Sequence, residues 1–386
     1  MAGIRRLTRE RIMPRLPRIL MVVTLPDWGG AQAYVHQLAL ACKGRYNVTV
    51  ACGTPGPLIP LLVQADVPVI EIPSMGRNPH PVRDARALVH LGRILRRGRF
   101  DLVHLNSTKA GLIGRLAALF AEVPVVIFTA HGWAFGPARP RWQRLLLAGC
   151  ERLTASLATK IICVSGYDRR LAEEFRVGRA GQLTVIRNGL DPAPYLSGGR
   201  DELRRQLAPG GERLTTMVAR LAFPKDPFTV VEAWLRVGCG KLCLVGDGPL
   251  RPSLERRYAK ELGDRLLLLG HRSDLPRILA ASDLFVLASK QEGSPLAILE
   301  AMFAGRAVVA SETGGIPELV QHGETGLVVP MGSVSALARA LESLLQDDET
   351  RNRMGRRGRE RALAHFSSER MIRETFSLYD GELGFP

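Results

Sequence analysis

The chain lacks several patterns that would fix its chemistry outright. No Asp-x-Asp pair occurs in its 386 residues, and no His or Cys cluster has metal-ligand spacing. Metal-bridged diphosphate chemistry is therefore not expected, and cationic side chains and helix N-termini must neutralise any phosphate instead. The six cysteines, Cys42, Cys52, Cys150, Cys163, Cys239 and Cys243, form no C-x-x-C pair, and four of them sit in apolar runs. That pattern predicts reduced core residues of a cytosolic protein rather than a disulfide framework. No apolar stretch reaches the length of a membrane span, because Glu122 with Pro124, Lys160 and Arg187 interrupt the best candidates. The arginine-rich start leads into Ile19–Leu25, but Pro26-Asp27-Trp28 follows without a small-residue cleavage site. A first strand after a flexible basic arm is expected, not a signal peptide. Lysine is scarce, seven of 53 basic residues, an arginine bias that weakens any reading of the total charge alone.

What is present begins with an asymmetry. The net charge is +16, and residues 1–195 hold 27 Lys and Arg against 12 Asp and Glu, whereas residues 196–386 hold 26 against 25. The first half is thus expected to face something anionic: a membrane surface, a phosphorylated acceptor or nucleic acid. The length calls for two cores, and a hydrophobic fraction of 46% can fill both.

Short apolar runs alternate with helical patterns, which predicts α/β architecture on parallel sheets. Seven strands are expected in the first half, at Ile19–Leu25, Asn47–Cys52, Val69–Ile72, Leu102–Leu105, Val125–Thr129, Lys160–Val164 and Leu183–Ile186. Six are expected in the second, at Leu214–Val218, Lys241–Val245, Leu266–Gly270, Leu284–Ala288, Ala307–Ser311 and Gly326–Val329. The break falls near Asn188-Gly189-Leu190-Asp191-Pro192, before a helical Arg200–Leu207. Ligands of such doubly wound sheets bind beyond the carboxyl ends of the strands, so the expected active site is a cleft between the two halves.

The tightest local pattern is Glu292 and Glu300, which flank Gly293-Ser294-Pro295 and the apolar run from Leu296 to Gly305. On one straight helix, eight residues place two side chains about 80° apart. Ser294 as N-cap, Pro295 at the first helical position and Gly305 past the end instead put Glu292 in a loop and Glu300 in the second turn, with a phosphate-attracting N-terminus between them. Arg220, at a strand end, and Lys225, one loop later, can both point at a diphosphate. The turn Gly246-Asp247-Gly248-Pro249 offers backbone to a base or ribose. Gly29-Gly30 opens a helix after the first strand, and Gly314-Gly315 precedes another that Pro317 would start. His131, in Thr129-Ala130-His131-Gly132-Trp133, is placed at a strand end beside the cleft.

Taken in order, these motifs resemble the retaining glycosyltransferases of family 4, with GT-B architecture: two facing Rossmann-like, doubly wound parallel-sheet domains and an interdomain cleft. The likeness spans about residues 18–380 and includes Gly29-Gly30, Val103 to Gly111, Ala130-His131-Gly132, Asn188 to Asp191, Arg220 with Lys225, Gly246 to Pro249, and Glu292 with Glu300. It resembles most the bacterial members that build surface polysaccharide.

The resemblance implies a basic arm at 1–17, an acceptor-binding domain at 18–192, a nucleotide-sugar domain at 193–365, and a C-terminal helix at 366–386 that crosses back. It implies that Arg220 and Lys225 hold the donor diphosphate, that Glu300 accepts from ribose hydroxyls, and that Glu292 contacts the donor sugar. The donor site would also take in Gly29, Gly30, Gly246, Asp247, Gly248, Ser294, Pro295 and Leu296. Asn106, Lys109 and His131 would line the acceptor side, with His131 beside the transferring sugar. Asp226-Pro227 after Lys225 departs from the glycine that relatives often carry. The expected reaction is metal-independent transfer with retention from a nucleoside-diphosphate sugar, UDP-linked, to a lipid-linked glycan, with no cofactor.

Two arginine clusters of the first half, Arg83 to Arg99 and Arg139 to Arg144 with Trp142 and Leu145 to Leu147, predict docking on the anionic inner face of the cytoplasmic membrane. An epimerase of related fold would share the donor site, but it leaves the basic half unexplained. A nucleic-acid binder would suit the charge, yet the chain has no aromatic-rich single-strand platform and no groove-reading module. Transfer without nucleic acid is the expected function.

Overall fold

A computed structural model describes residues 15–197 and 201–384. The basic arm up to Pro14, and Arg200 of the expected helix, lie outside the described residues. All thirteen expected strands are present: β1 (Arg18–Val23), β2 (Asn47–Cys52), β3 (Val69–Glu71), β4 (Leu102–Asn106), β5 (Val125–Ala130), β6 (Lys160–Cys163), β7 (Leu183–Val185), β8 (Leu214–Val218), β9 (Lys241–Val245), β10 (Leu266–Gly270), β11 (Leu284–Leu287), β12 (Ala307–Ser311) and β13 (Gly326–Val329). They form two sheets, in the orders β3-β2-β1-β4-β5-β6-β7 and β10-β9-β8-β11-β12-β13, and the strand pairs in both are parallel. The central strands β1, β4, β5, β9, β11 and β12 are nearly continuous buried runs because helices cover both faces of each sheet, while the outer strands β3, β7, β10 and β13 are half-buried.

Side-chain alternation sorts the first sheet into two faces. Leu20, Val22, Val103, Leu105, Val126 and Phe128 pack on one side, and Ile19, Met21, Val23, Leu102 and Ile127 on the other. The second face is covered partly by the C-terminal helix Ser368–Leu383, through Met371, Phe376 and Tyr379. That helix is held by the polar pair His104 Nδ1 and Tyr379 Oη at 2.5 Å. The two passages of the chain between the halves run side by side: Leu190 N donates to Phe366 O at 3.0 Å, and Ser368 N to Leu190 O at 2.9 Å. A Cβ on Gly189 would lie 2.1 Å from Ser367 O, so this crossing admits only glycine.

Cys42, Cys52, Cys163 and Cys243 are buried thiols, and among the described residues the six cysteines form no disulfide. No described helix is long and apolar enough to cross a membrane. In each sheet the order of connection reverses at the first strand, between β1 and β4 and between β8 and β11. The crevices beyond those strand ends are where a ligand fits such a sheet, and both open toward the same space.

Candidate active site

The second-half wall of that space is assembled by loop pairing. Beyond β8, the loop Phe223 to Asp226 is laced to the loop after β11: Asp226 N donates to Ala288 O at 2.9 Å, Lys290 N to Pro224 O at 2.9 Å, and Lys225 pairs with Ser289. Lys225 is thereby carried to Glu292, and the two form an ion pair that is mostly buried. Sequence reading set them on different partners, the diphosphate and the sugar. The departure at Asp226-Pro227 also finds its reason: Asp226 caps the helix Pro227–Val237, its carboxylate accepting from Thr229 N at 3.3 Å, with Pro227 in the first turn.

Arg220 extends from the end of β8, where partial burial and then the Arg77 charge of the first half hold its pKa below the usual arginine value, against the opposing pull of Asp27. The turn Gly246 to Pro249 packs under it. Leu221 N donates to Asp247 O at 2.9 Å, and Cβ atoms on Gly246 and Gly248 would fall 2.0 Å from Ala219 O and 2.4 Å from Leu221 O. These glycines are required by close backbone approach, whatever the ligand.

The helix Leu296–Phe303 begins one residue later than the sequence predicted. Pro295 occupies the N-cap position with extended backbone, and no side chain caps the helix. Ser294 makes no cap: its carbonyl accepts from Asn188 Nδ2 at 2.9 Å, while its buried hydroxyl has no partner among the described residues. The anchor to Asn188 holds the segment back from the cap geometry. Glu300 lies in the second turn as expected, its carboxylate accepting from Tyr195 Oη at 3.0 Å. Burial pushes the Glu300 carboxyl up to about 7, against the opposing effect of the Tyr195 hydrogen bond. Tyr195, on the short helix Ala193–Leu196, had no signal in the sequence, because one tyrosine after a linker proline marks nothing.

The first-half wall comes from the loops after β1, β4 and β5. Asn106, wholly buried at the end of β4, donates from Nδ2 to His104 O at 3.2 Å, so its Oδ1 faces His131 Nε2 at 3.2 Å. An amide oxygen only accepts, so Nε2 carries the proton and Nδ1 is left as an acceptor. Burial holds the His131 imidazole down to about 4, neutral at pH 7, and Tyr34 packs edge-on at 5.0 Å. Asn106 is therefore a partner of His131, not a free acceptor contact. Lys109 departs further from expectation. Its ammonium donates to Gly76 O and Asn78 O at 2.8 and 2.6 Å and pairs with Asp84 at 2.6 Å, which ties the 76–84 segment in place and leaves no free cation.

The walls meet on glycine. Cβ atoms on Gly132 and Gly293 would stand 3.1 and 2.8 Å from each other's backbone nitrogens. A Cβ on Gly314 would lie 1.7 Å from Glu292 O, and Gly315 N donates to Gly293 O at 3.0 Å. Gly30 lies against Leu296, 3.8 Å from the position a Cβ would take. Five loops from two sheets thus bring His131, Glu292, Lys225 and the start of the Leu296–Phe303 helix together. Gln291 Nε2 also donates to Trp133 O, a contact no motif announced. Pro317 lies in the first turn of Ile316–Leu319, as expected, but the decisive residue there is Glu318. Its carboxylate reaches across to the other half and accepts from Gly166 N at 3.0 Å, Tyr167 N at 2.7 Å and the Arg187 guanidinium at 3.1 Å.

Comparison with known proteins gives two family models that divide the chain: "Glycosyltransferase Family 4" over residues 28–194 and "Glycosyl transferases group 1" over residues 199–361. The chain is 31% identical over 94% of its length to the Escherichia coli UDP-Gal:α-D-GlcNAc-diphosphoundecaprenol α-1,3-galactosyltransferase, covering 96% of that protein. It is 31% identical over 78% of its length to N-acetyl-α-D-glucosaminyl L-malate synthase of Bacillus anthracis, covering 80% of that enzyme. Among solved structures it is similar to HepE of Anabaena in complex with UDP-glucose, with TM-score 0.80, 25% identity, and coverage of 93% of this chain and 99% of that one.

Proposed function

Because the chain belongs to the family 4 glycosyltransferases, we propose that it moves a sugar from a UDP-sugar, with retention of configuration and without a metal, to a sugar carried on a lipid diphosphate. The observation that carries the reading is the apposition of His131 with Glu292 and Lys225 at the N-terminus of the Leu296–Phe303 helix, across glycines that allow no side chain between them. The solved relative named for its UDP-glucose complex and the galactosyltransferase named for a UDP donor support the choice of nucleotide. The latter's diphosphoundecaprenol acceptor supports the lipid carrier.

In this reading Arg220 faces the donor diphosphate, while the helix N-terminus at Leu296 and the backbone of Gly29 and Gly30 complete its cradle. The turn Gly246-Asp247-Gly248 lies against the base, and Glu300 accepts from the ribose. Lys225 starts from its pair with Glu292, and donor entry divides that pair between diphosphate and sugar. With Arg220, Lys225 and the helix N-terminus all facing the departing phosphate, the site favours a same-face displacement. The acceptor oxygen forms its bond to the anomeric carbon as the bond to phosphate breaks, and the hydroxyl proton passes to the departing phosphate oxygen. His131, neutral, hydrogen-bonds the sugar through Nδ1 as an acceptor. Residues 18–192 would form the acceptor domain and 193–365 the donor domain.

Membrane docking fits the first-half surface. Helix Pro81–Gly98 carries Arg83, Arg86, Arg93, Arg96 and Arg97, and Arg96 donates to Phe120 O at 2.7 Å, joining it to helix Thr108–Phe120. Leu119 and Phe120 at that junction are exposed, as are Trp142, Leu145 and Leu146 on helix Arg141–Ala155. Arginine beside exposed apolar side chains suits an anionic bilayer. Thermal shift against UDP, GDP and an oligonucleotide tests the donor: UDP should raise the melting temperature most, and stabilisation by oligonucleotide alone would overturn the reading.

A further inference from the structure

Behind the loop that carries His131 runs a groove of about 510 Å³ lined by Arg141, Arg144, Arg152 and Arg176. Its remaining lining is Leu145, Phe175 and a single carboxylate, Glu174. Among the described residues none of these five charged groups closes an ion pair; the neighbouring Glu173 pairs instead with Arg169. Four guanidiniums against one carboxylate leave a local excess of positive charge that suits an outside anion.

The groove is built onto the acceptor side of the cleft. Arg144 Nε donates to Phe135 O at 3.2 Å and its guanidinium stands 5.2 Å from the Phe175 ring, which leaves its terminal nitrogens free. Phe135 in turn packs on Trp133 at 5.1 Å and on Phe175 at 5.1 Å. The segment from His131 to Phe135 and the groove floor are one aromatic unit, so an anion held in the groove is fixed relative to His131.

Helix Arg141–Ala155 adds a second feature. Trp142, Leu145, Leu146 and Leu153, respectively 66%, 57%, 58% and 79% exposed, fall within a stripe about 100° wide. Arg141, Arg144 and Arg152 all lie along one edge of that stripe. A headgroup with a long apolar tail presents the matching pattern: phosphate on the cationic edge and hydrocarbon on the stripe.

We propose that this groove binds the diphosphate of a prenyl-diphosphate-linked acceptor, with the first isoprene units along Trp142, Leu145, Leu146 and Leu153. The inference rests on the lipid-linked acceptor proposed above. It assigns the basic helix a substrate-reading task distinct from general attraction to a bilayer.

The test uses the full chain without membranes and three soluble acceptors: N-acetylglucosamine α-linked to a short prenyl diphosphate, to the matching monophosphate, and to an uncharged octyl chain. Arg141→Gln, Arg152→Gln and Arg176→Gln are made singly and together. The triple variant should raise KM for the diphosphate acceptor about tenfold or more, keep kcat within about twofold, and leave the octyl glycoside and UDP binding unchanged. Equal effects on all three acceptors, or none, would overturn the inference while transfer by the unmodified enzyme left the function intact. Loss of binding to phosphatidylglycerol vesicles with KM for the soluble diphosphate acceptor unchanged would also overturn it, by showing that the arginines read bilayer headgroups. An unmodified enzyme that accepts the octyl glycoside but not the diphosphate would instead remove the lipid-linked acceptor itself.

Discussion

Replacing Gly293 by alanine tests whether the contact between the two loop systems sets the reaction geometry. The new methyl would stand 2.8 Å from Gly132 N, 3.0 Å from Gly132 Cα and 3.0 Å from Val164 Cγ2. Ordinary contact needs roughly 3.5 Å, so the His131 and Glu292 loops must part by about 0.7 Å. Overpacking of this kind costs roughly 1–3 kcal/mol. Misplacing reacting groups by 1 Å can cost about a hundredfold in rate, so kcat should fall by roughly 10- to 100-fold with a smaller change in UDP affinity. Gly381→Ala is the matched control: a Cβ there meets nothing within 4 Å on the exposed side of the C-terminal helix, and the change should leave kcat alone and add up to about 1 kcal/mol of stability. UDP release and product mass, read beside a melting curve, provide the assay. A Gly293→Ala enzyme with kcat within threefold of the parent and an unchanged melting temperature would refute the reasoning.

Three further expectations follow from the site. Arg220→Ala should lower kcat by about 10²-fold or more, because Lys225, shared with Glu292, is left as the remaining cation proposed to meet charge developing on the leaving phosphate; near-normal turnover would remove Arg220 from the donor site. Burial raises the Glu300 carboxyl to about 7, and in the proposed donor site its ionised form accepts from the ribose, so UDP affinity should weaken as pH falls from 8 to 6. With its folded pKa raised, Glu300 favours the unliganded protein's stability at low pH and loses that contribution as pH rises through about 7, the opposite sign to its effect on binding. Calorimetry at several pH values checks this, and Glu300→Gln should flatten the profile. Glu318→Ala leaves Gly166 N and Tyr167 N uncapped and frees Arg187, for an expected loss of about 2–3 kcal/mol, readable in denaturant titration; Glu318→Gln should lose less.

The fold was legible because burial on both faces turns the central parallel strands into apolar runs, and turn chemistry ends each run within a residue or so. β2, β8, β9, β10, β12 and β13 match their expected limits. The site was legible where one residue type answers one local need: glycine at close approach, Arg220 at a strand end, Glu300 on its helix. It was not legible where partners come from another loop. Lys225 and Glu292 are 67 residues apart, and no periodicity links them. Lys109 looked free because the carbonyls of Gly76 and Asn78 that bind it are invisible to composition. Ser294 illustrates a competing force, since a good N-cap residue is held out of position by Asn188.

The most direct test of the central claim is the product itself. The enzyme would be incubated with UDP-sugars and a short-chain prenyl-diphosphate-linked N-acetylglucosamine in the presence of a chelator, and the product resolved by mass and by anomeric proton couplings. The account predicts one added sugar, released UDP, and the anomeric configuration of the donor preserved. An inverted product, or a donor sugar converted with no transfer, would contradict it.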